Sequence, residues 1–155
     1  MASSPVTLSP FPTGPALFER TILQIENNPA NSDLVVQIIA RRVDLKLSTS
    51  NNSLDGIEMA RRFLPDVILM DMRMPRVSGY EALVLLRASA ITSHIPVIIL
   101  SSNAFIDEDA KCMEGGAFCY LTKPYRIGDL LAAIDAALLH AVQNPAASQR
   151  HAAAV

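Results

Sequence analysis

The sequence has few of the features that mark zinc-binding, secreted or nucleic-acid-binding proteins. It contains no tryptophan, only two cysteines, and a formal net charge of −2 over 155 residues. Cys112 and Cys119 lack the spacing and the histidine partners of a zinc site, so we interpret them as small thiols in a reducing compartment. The near balance of charge gives no reason to expect nucleic acid or an anionic membrane as a partner.

Long hydrophobic runs and targeting patterns are also missing. The apolar stretches are far shorter than the roughly 20 residues that a membrane-spanning helix needs. The first residues lack the basic and then apolar pattern of a signal peptide. A glycine-rich phosphate loop is absent as well, which argues against a nucleotide site. We therefore expect a cytoplasmic protein that contacts neither a membrane nor nucleic acid.

The composition that is present predicts one folded domain between two irregular ends. Half of the residues are apolar, which is typical of a globular chain with a sizeable core. Residues 1–19 are rich in proline, serine and threonine without a regular period, and we predict a flexible arm. Residues 143–155 are predicted to be a disordered tail. The folded domain is therefore expected over residues 20–142.

Within this domain, apolar β-branched segments alternate with segments that have the 3.6-residue period of a helix. The predicted strands are Thr21–Glu26, Leu45–Thr49, Asp66–Asp71, Pro96–Ser101 and Phe118–Thr122. The predicted caps of the first two helices are Asn31 or Ser32 and then Ser53. The other three helices are predicted to start at Ser78, Asp107 and Ile127, and the last one ends near Val142.

Five strands that alternate with five helices predict a doubly wound parallel α/β sheet. The first, third and fourth strands are the most uniformly apolar, so we place them in the interior. The second strand alternates between polar and apolar residues, which is typical of an edge. The expected fold is a flavodoxin-like (βα)5 domain with strand order 2-1-3-4-5.

Asp71 is the most informative residue, because it ends a strand that is predicted to be buried on both faces. A buried strand does not normally end in an unpaired carboxylate, since removing a charge from water is costly. Pro75 indicates a loop just after it. Asp71 should therefore stand at the carboxyl end of a central strand, where open α/β folds place their ligand crevices.

The carboxyl ends of the other strands add further polar groups to the same edge. The first strand ends in Glu26 and Asn27, the fourth in Ser101, and Lys123 follows the fifth. Together with Asp71 they form an oxygen-rich group suited to a hard cation such as Mg²⁺. A cation at this position would allow a phosphoryl group to be held.

Four segments at these strand ends resemble the receiver domain of two-component response regulators. They are residues 22–31 (ILQIENNPAN), 65–75 (PDVILMDMRMP), 94–101 (HIPVIILS) and 120–124 (YLTKP). They occur in the order and spacing of that family, and the resemblance covers about residues 20 to 141.

The resemblance implies a role for each matching residue. Asp71 corresponds to the phosphoacceptor, and Lys123 to the lysine that pairs with the phosphoryl group. Ser101 corresponds to the hydroxyl that moves toward that group, and Tyr120 to the aromatic switch residue whose rotamer follows. Arg73 falls where the family uses a backbone carbonyl as a metal ligand.

The sequence departs from the family at the acid pair after the first strand. The family has two adjacent acids there, whereas this chain has Glu26 followed by Asn27. The Asn27 amide oxygen is still a possible Mg²⁺ ligand, but with one carboxylate fewer we expect weak Mg²⁺ binding. The Arg73 guanidinium either reaches this position to pair with Glu26 or Asp71, or points to solvent.

The resemblance implies a stand-alone, non-enzymatic signalling protein. A histidine kinase or a histidine phosphotransfer protein would phosphorylate Asp71 with Mg²⁺ as cofactor. The signal would then pass to a downstream protein through contacts on the fourth helix, fifth strand and fifth helix, with a homodimer as one possible form.

Two alternatives differ in class from this interpretation. Asn27 is also consistent with a pseudo-receiver, a phosphorylation-independent module for interaction or dimerisation. A phosphatase of the haloacid dehalogenase type would use Asp71 as nucleophile and a second aspartate two residues later. Arg73 occupies that position and cannot transfer protons near neutral pH, so the sequence disfavours the phosphatase.

Overall fold

The fold was analysed in a computed structural model that describes residues 19–102 and 106–143. The described residues form one parallel sheet with the strand order β2-β1-β3-β4-β5. The strands are β1 Arg20–Ile25, β2 Leu45–Ser50, β3 Val67–Asp71, β4 Val97–Ser101 and β5 Cys119–Thr122. The helices are α1 Pro29–Ile39, α2 Ser53–Phe63, α3 Gly79–Ala88, α4 Ile106–Glu114 and α5 Ile127–Gln143. The predicted flavodoxin-like order is confirmed.

Strand burial explains why this order forms. Every residue of β3 and β4 is buried, as expected for strands covered by helices on both faces. β2 is largely accessible and lies at one edge, as its alternating sequence predicts. The most apolar strands therefore take the positions that remove the most apolar surface from water.

Two hydrophobic cores lie on the opposite faces of the sheet. One core packs α2, α3 and α4 against side chains such as Ile25, Ile68 and Ile99. The other packs α1 and α5 against side chains such as Ile22 and Leu69. Successive residues of a strand point to alternate faces, so each central strand contributes to both cores.

The caps of the first two helices lie earlier in the chain than the sequence predicts. α1 is capped by Asn28, whose side-chain oxygen accepts a hydrogen bond from the Ala30 N–H at 2.9 Å, so the prediction of Asn31 or Ser32 was wrong. Pro29 at the first helical position favours this early start, because proline fixes a helical φ and lacks an N–H. α2 is capped by Asn52 rather than Ser53.

The third helix begins as predicted. Ser78 caps α3, and Glu81 completes a capping box by accepting a hydrogen bond from the Ser78 N–H at 2.9 Å. The predicted arm lies outside the described residues apart from the exposed Glu19, and the predicted tail lies outside them apart from Gln143, the last residue of α5.

Some apolar residues that the helical period assigns to the core are about half exposed. Leu34 on α1, Leu54 on α2 and Leu85 on α3 belong to this group. They flank the buried stripe of each helix, because the sheet covers only one side of it. Among the helices of the described residues, none is long and apolar enough to cross a membrane.

Candidate functional site

The polar side chains of the predicted site lie at the carboxyl ends of four neighbouring strands. Asp71 ends β3 and Ser101 ends β4, while Glu26 and Lys123 come directly after β1 and β5. Because the strands are parallel, their carboxyl ends share one edge of the sheet.

Lys123 joins the two carboxylates of this edge. Its Nζ lies 3.0 Å from Glu26 Oε2 and 3.6 Å from Asp71 Oδ1. Glu26 and Asp71 are only 4% and 6% exposed, so their charges are largely removed from water. Buried charges need a partner of opposite sign, and the Lys123 ammonium is that partner for both.

The beginning of α1 also holds Glu26. Glu26 Oε1 accepts hydrogen bonds from the Asn28 N–H at 3.0 Å and from Asn31 Nδ2 at 3.4 Å. Anions are stabilised at helix N-termini, where backbone N–H groups are free to donate. Sequence reasoning assigned Asn31 to a helix cap and missed its contact with Glu26. The sequence signal for the contact is the Asn28-Pro29 pair, which caps and starts α1 two residues after Glu26.

The environment of Asp71 favours its protonated form. Burial raises the pKa of Asp71 above its ordinary value of 3.8, and the nearby Glu26 carboxylate raises it further. The Lys123 ammonium and the Arg73 N–H, which donates to Asp71 Oδ1 at 3.3 Å, act in the opposite direction. The net effect is a raised pKa, so the ionised Asp71 carboxylate is less stable in the fold than in water.

This shift gives a pH-dependent prediction for the metal-free protein. A carboxyl with a raised folded-state pKa destabilises the fold as the pH rises through the interval between 3.8 and that raised value. We expect Asp71→Asn to increase the free energy of unfolding at pH 7, and the gain to shrink on going from pH 7 toward pH 4. Urea denaturation in the presence of EDTA measures this. A variant that is less stable than the parent at pH 7 would contradict the assignment.

Ser101 and Tyr120 are in contact in this structure. Ser101 is completely buried, and Tyr120 is half-buried against the core that α2, α3 and α4 form. Burial raises the pKa of the Tyr120 phenol, while a side-chain hydrogen bond with Ser101 lowers it. Tyr120 is therefore beside the serine in this structure, and the movement that the resemblance implies for both residues stays a prediction.

Asn27 and Arg73 lie at the rim of the site, and both side chains are exposed. The Arg73 guanidinium takes part in none of the ion pairs among the described residues, so it points to solvent rather than pairing with Glu26 or Asp71. Its backbone remains at the site through the N–H that donates to Asp71.

The oxygen ligands of the site suit a hard cation, although they carry less negative charge than the acid pair of the family would provide. The available ligands are the Glu26 and Asp71 carboxylates, the Asn27 amide and the Arg73 carbonyl, and Mg²⁺ prefers such oxygen atoms. The described residues contain no cluster of three or more His, Cys, Asp or Glu side chains that could hold a metal ion. Beyond the two carboxylates, which Lys123 already contacts, a cation here would therefore have only neutral oxygens as ligands.

The start of α3 lies directly against the loop that carries the acid. The Gly79 N–H donates to the Met72 carbonyl at 3.0 Å, and a Cβ at position 79 would overlap the Asp71 carbonyl oxygen. Only glycine fits so close to the backbone of Asp71.

Comparison with known proteins identifies the family. The model of the response regulator receiver domain matches residues 22–135. The polar-differentiation response regulator DivK of Brucella anthropi is 31% identical over 108 residues, which cover 70% of this chain and 87% of DivK. RpaA of Synechocystis, a DNA-binding transcriptional regulator, is 31% identical over 128 residues, 83% of this chain. The chain spans only about half of RpaA (53%) and of the regulator CtrA of Caulobacter vibrioides (48%).

Solved structures agree with this match. The receiver domain of the sensor histidine kinase PA1611 from Pseudomonas aeruginosa has a TM-score of 0.70 and 28% identity, covering 77% of this chain and 97% of that domain. That structure has a magnesium ion coordinated in its active-site cleft. The receiver domain of a LuxO-type repressor from Vibrio parahaemolyticus has a TM-score of 0.76 at 21% identity, covers 81% of this chain and 95% of that domain, and supports the fold alone.

Proposed function

Because this chain belongs to the family of response regulator receiver domains, we propose that it is a phosphorylatable signalling switch with Asp71 as acceptor. The observation that carries the proposal is the pair of contacts from Lys123 to Glu26 and Asp71 at 3.0 and 3.6 Å. They place a cation beside the proposed acceptor, where the charge of an added phosphoryl group would develop.

The proposed donor is a phosphohistidine of a histidine kinase or of a phosphotransfer protein. An Asp71 oxygen attacks phosphorus, a P–O bond forms, and the P–N bond to the histidine breaks. The histidine nitrogen keeps the electron pair and later takes a proton from water, while Asp71 becomes an acyl phosphate. The protein positions the groups and stabilises charge, which is its main part in phosphoryl transfer.

Glu26, Asn27, Asp71 and the Arg73 carbonyl would hold the Mg²⁺ ion. When bound, Mg²⁺ neutralises developing negative charge on a transferring phosphoryl group. Lys123 pairs with the added phosphoryl oxygens by moving from Glu26 toward Asp71, a short change because it already lies between them.

The proposed switch starts at Ser101. Its side chain now hydrogen-bonds with Tyr120, so movement toward a phosphoryl group on Asp71 would exchange one partner for the other. Tyr120 would then repack at the face that α4, β5 and α5 form, where a downstream protein or a second copy of the chain would read the change. We expect this to take place in the cytoplasm.

Phosphorylation with acetyl phosphate and Mg²⁺, followed by intact-mass measurement, tests the proposal. We expect one added phosphoryl group on the parent chain and none on Asp71→Asn. Asp33→Asn, a change at an exposed aspartate of α1, serves as the matched control and should be phosphorylated like the parent. If the parent gains no mass at high donor concentration, the pseudo-receiver alternative is favoured, since Asn27 is its support.

Asn27 gives a separate prediction for metal affinity. Asn27→Asp should lower the dissociation constant for Mg²⁺ by roughly tenfold or more, because it adds a carboxylate to the proposed ligand set. Isothermal titration with MgCl₂ measures the change, and Asn51→Asp, at an exposed residue after β2, controls for net charge. An unchanged dissociation constant would show that residue 27 does not contact the metal.

A further inference from the structure

An apolar groove lies at the end of the sheet opposite to Asp71, between the edge strand β2 and helix α2. Its volume is about 270 Å³, and its lining includes Thr21, Leu23, Ser48, Met59, Phe63 and Pro65. An apolar cavity of about 150 Å³ is large enough to hold benzene. This groove therefore has room for one or two aromatic side chains.

The groove leaves apolar surface in contact with water. Phe63, at the end of α2, is 68% exposed, and its ring has the Arg62 guanidinium 5.8 Å from its centre. Met59 is only half-buried one turn earlier on the same helix. An apolar segment that covered these side chains would remove their surface from water, which favours docking.

The chain itself supplies a fitting occupant at the rim of the groove. Residues 1–18 lie outside the described residues and join the fold at Glu19, two positions before Thr21. They include no charged side chain, yet they hold Phe11 and Phe18, two of the five phenylalanines of the protein. The proline and serine content of this segment is typical of an unbound chain, but its lack of charge and its two aromatic rings are not.

We propose that residues 8–18 dock in this groove of their own chain, with Phe11 and Phe18 as the apolar anchors. The nine residues from Phe11 to Glu19 span up to about 30 Å when extended, which is enough to reach the whole groove. Pro10 and Pro12 flank Phe11 and restrict the backbone, which reduces the entropy lost on docking. A docked segment differs from the flexible arm that the sequence predicts.

This proposal does not depend on phosphorylation. The groove uses the beginnings of β1 and β2, whereas Asp71, Glu26 and Lys123 lie at the other end of the strands. Its test therefore uses the unphosphorylated full chain.

Methyl NMR of the full chain labelled with ¹³C-methyl methionine tests the docking. Met59 reports on the groove, and Met113, an exposed residue of α4, is the internal reference. In the double variant Phe11→Ser and Phe18→Ser, we expect the Met59 methyl resonance to move by more than its linewidth, because two aromatic rings leave its surroundings. The Met113 resonance should stay in place.

Two further measurements decide between the occupants. The control variant Ser9→Ala and Thr13→Ala changes the same segment without removing an aromatic ring, and it should leave Met59 unmoved. A Met59 shift that depends on protein concentration would assign the groove to a second copy and overturn docking within one chain. An unmoved Met59 resonance in the phenylalanine variant, or an equal shift of Met113, would also overturn the proposal.

Discussion

Replacing Gly79 with alanine is expected to destabilise the protein by on the order of 3 kcal/mol, the upper end of the cost of overpacking. The new Cβ would overlap the Asp71 carbonyl oxygen and lie 2.8 Å from the Met72 Cα. Both neighbours are backbone atoms, so no side-chain rotation relieves the contact. The loop after β3 has to move, and the Asp71 carboxylate moves with it.

Urea denaturation of the parent protein and of Gly79→Ala measures this loss of stability. The matched control is Gly128→Ala in the first turn of α5, where an added Cβ has nothing within 4 Å. That variant should be more stable than the parent by up to about 1 kcal/mol, because alanine favours the helix. Equal free energies of unfolding for Gly79→Ala and the parent would show that α3 does not approach the backbone of Asp71 as closely as described.

Arg87→Ala is expected to cost about 2–3 kcal/mol, because hydrogen bonds that involve a charged group are stronger than neutral ones. The Arg87 guanidinium donates to the carbonyl oxygens of Ile95 at 2.7 Å, Gly116 at 2.8 Å and Ser93 at 3.1 Å. It therefore connects the end of α3 to the loop before β4 and to the turn after α4. Alanine leaves these three acceptors without their donor.

Two further variants separate geometry from charge. Arg87→Lys keeps the positive charge but lacks the planar fork, so it should recover only part of the lost stability. Arg61→Ala removes an exposed arginine near the end of α2 and should change stability by no more than about 0.5 kcal/mol. A loss of stability in Arg61→Ala as large as in Arg87→Ala would show that the three hydrogen bonds of Arg87 are not the cause of its effect.

The sequence predicts the sheet well because the signal for each strand comes from its own residues. The continuous apolar runs of β3 and β4 indicate burial on both faces, and the alternation in β2 indicates an edge. Strand order then follows from burial together with the right-handed crossover rule. These features depend on local composition, so one sequence is enough to find them.

The contacts that tune the site are less accessible to sequence reasoning. Glu26 accepts a hydrogen bond from Asn31 because α1 starts at Pro29. The sequence predicts a start about one turn later, so this contact was not predicted. The contact between Tyr120 and Ser101 joins residues of β5 and β4, and no local pattern encodes it. The roles of Asp71, Ser101 and Lys123 stay predictions until phosphorylation is measured.

The distance along the chain between Glu26 and Lys123 has a consequence for folding. The two residues are separated by 97 positions in the sequence, yet their side chains meet at 3.0 Å. A contact between residues so far apart in the sequence closes a long loop, so it is stable only when most of the domain is in place. Until then Asp71 and Glu26 lack the ammonium that offsets their mutual repulsion. A chain that is damaged or incomplete at the level of β5 would carry the proposed acceptor but not its counter-ion. If Asp71 is phosphorylated as proposed, its reactivity is thereby tied to completion of the fold.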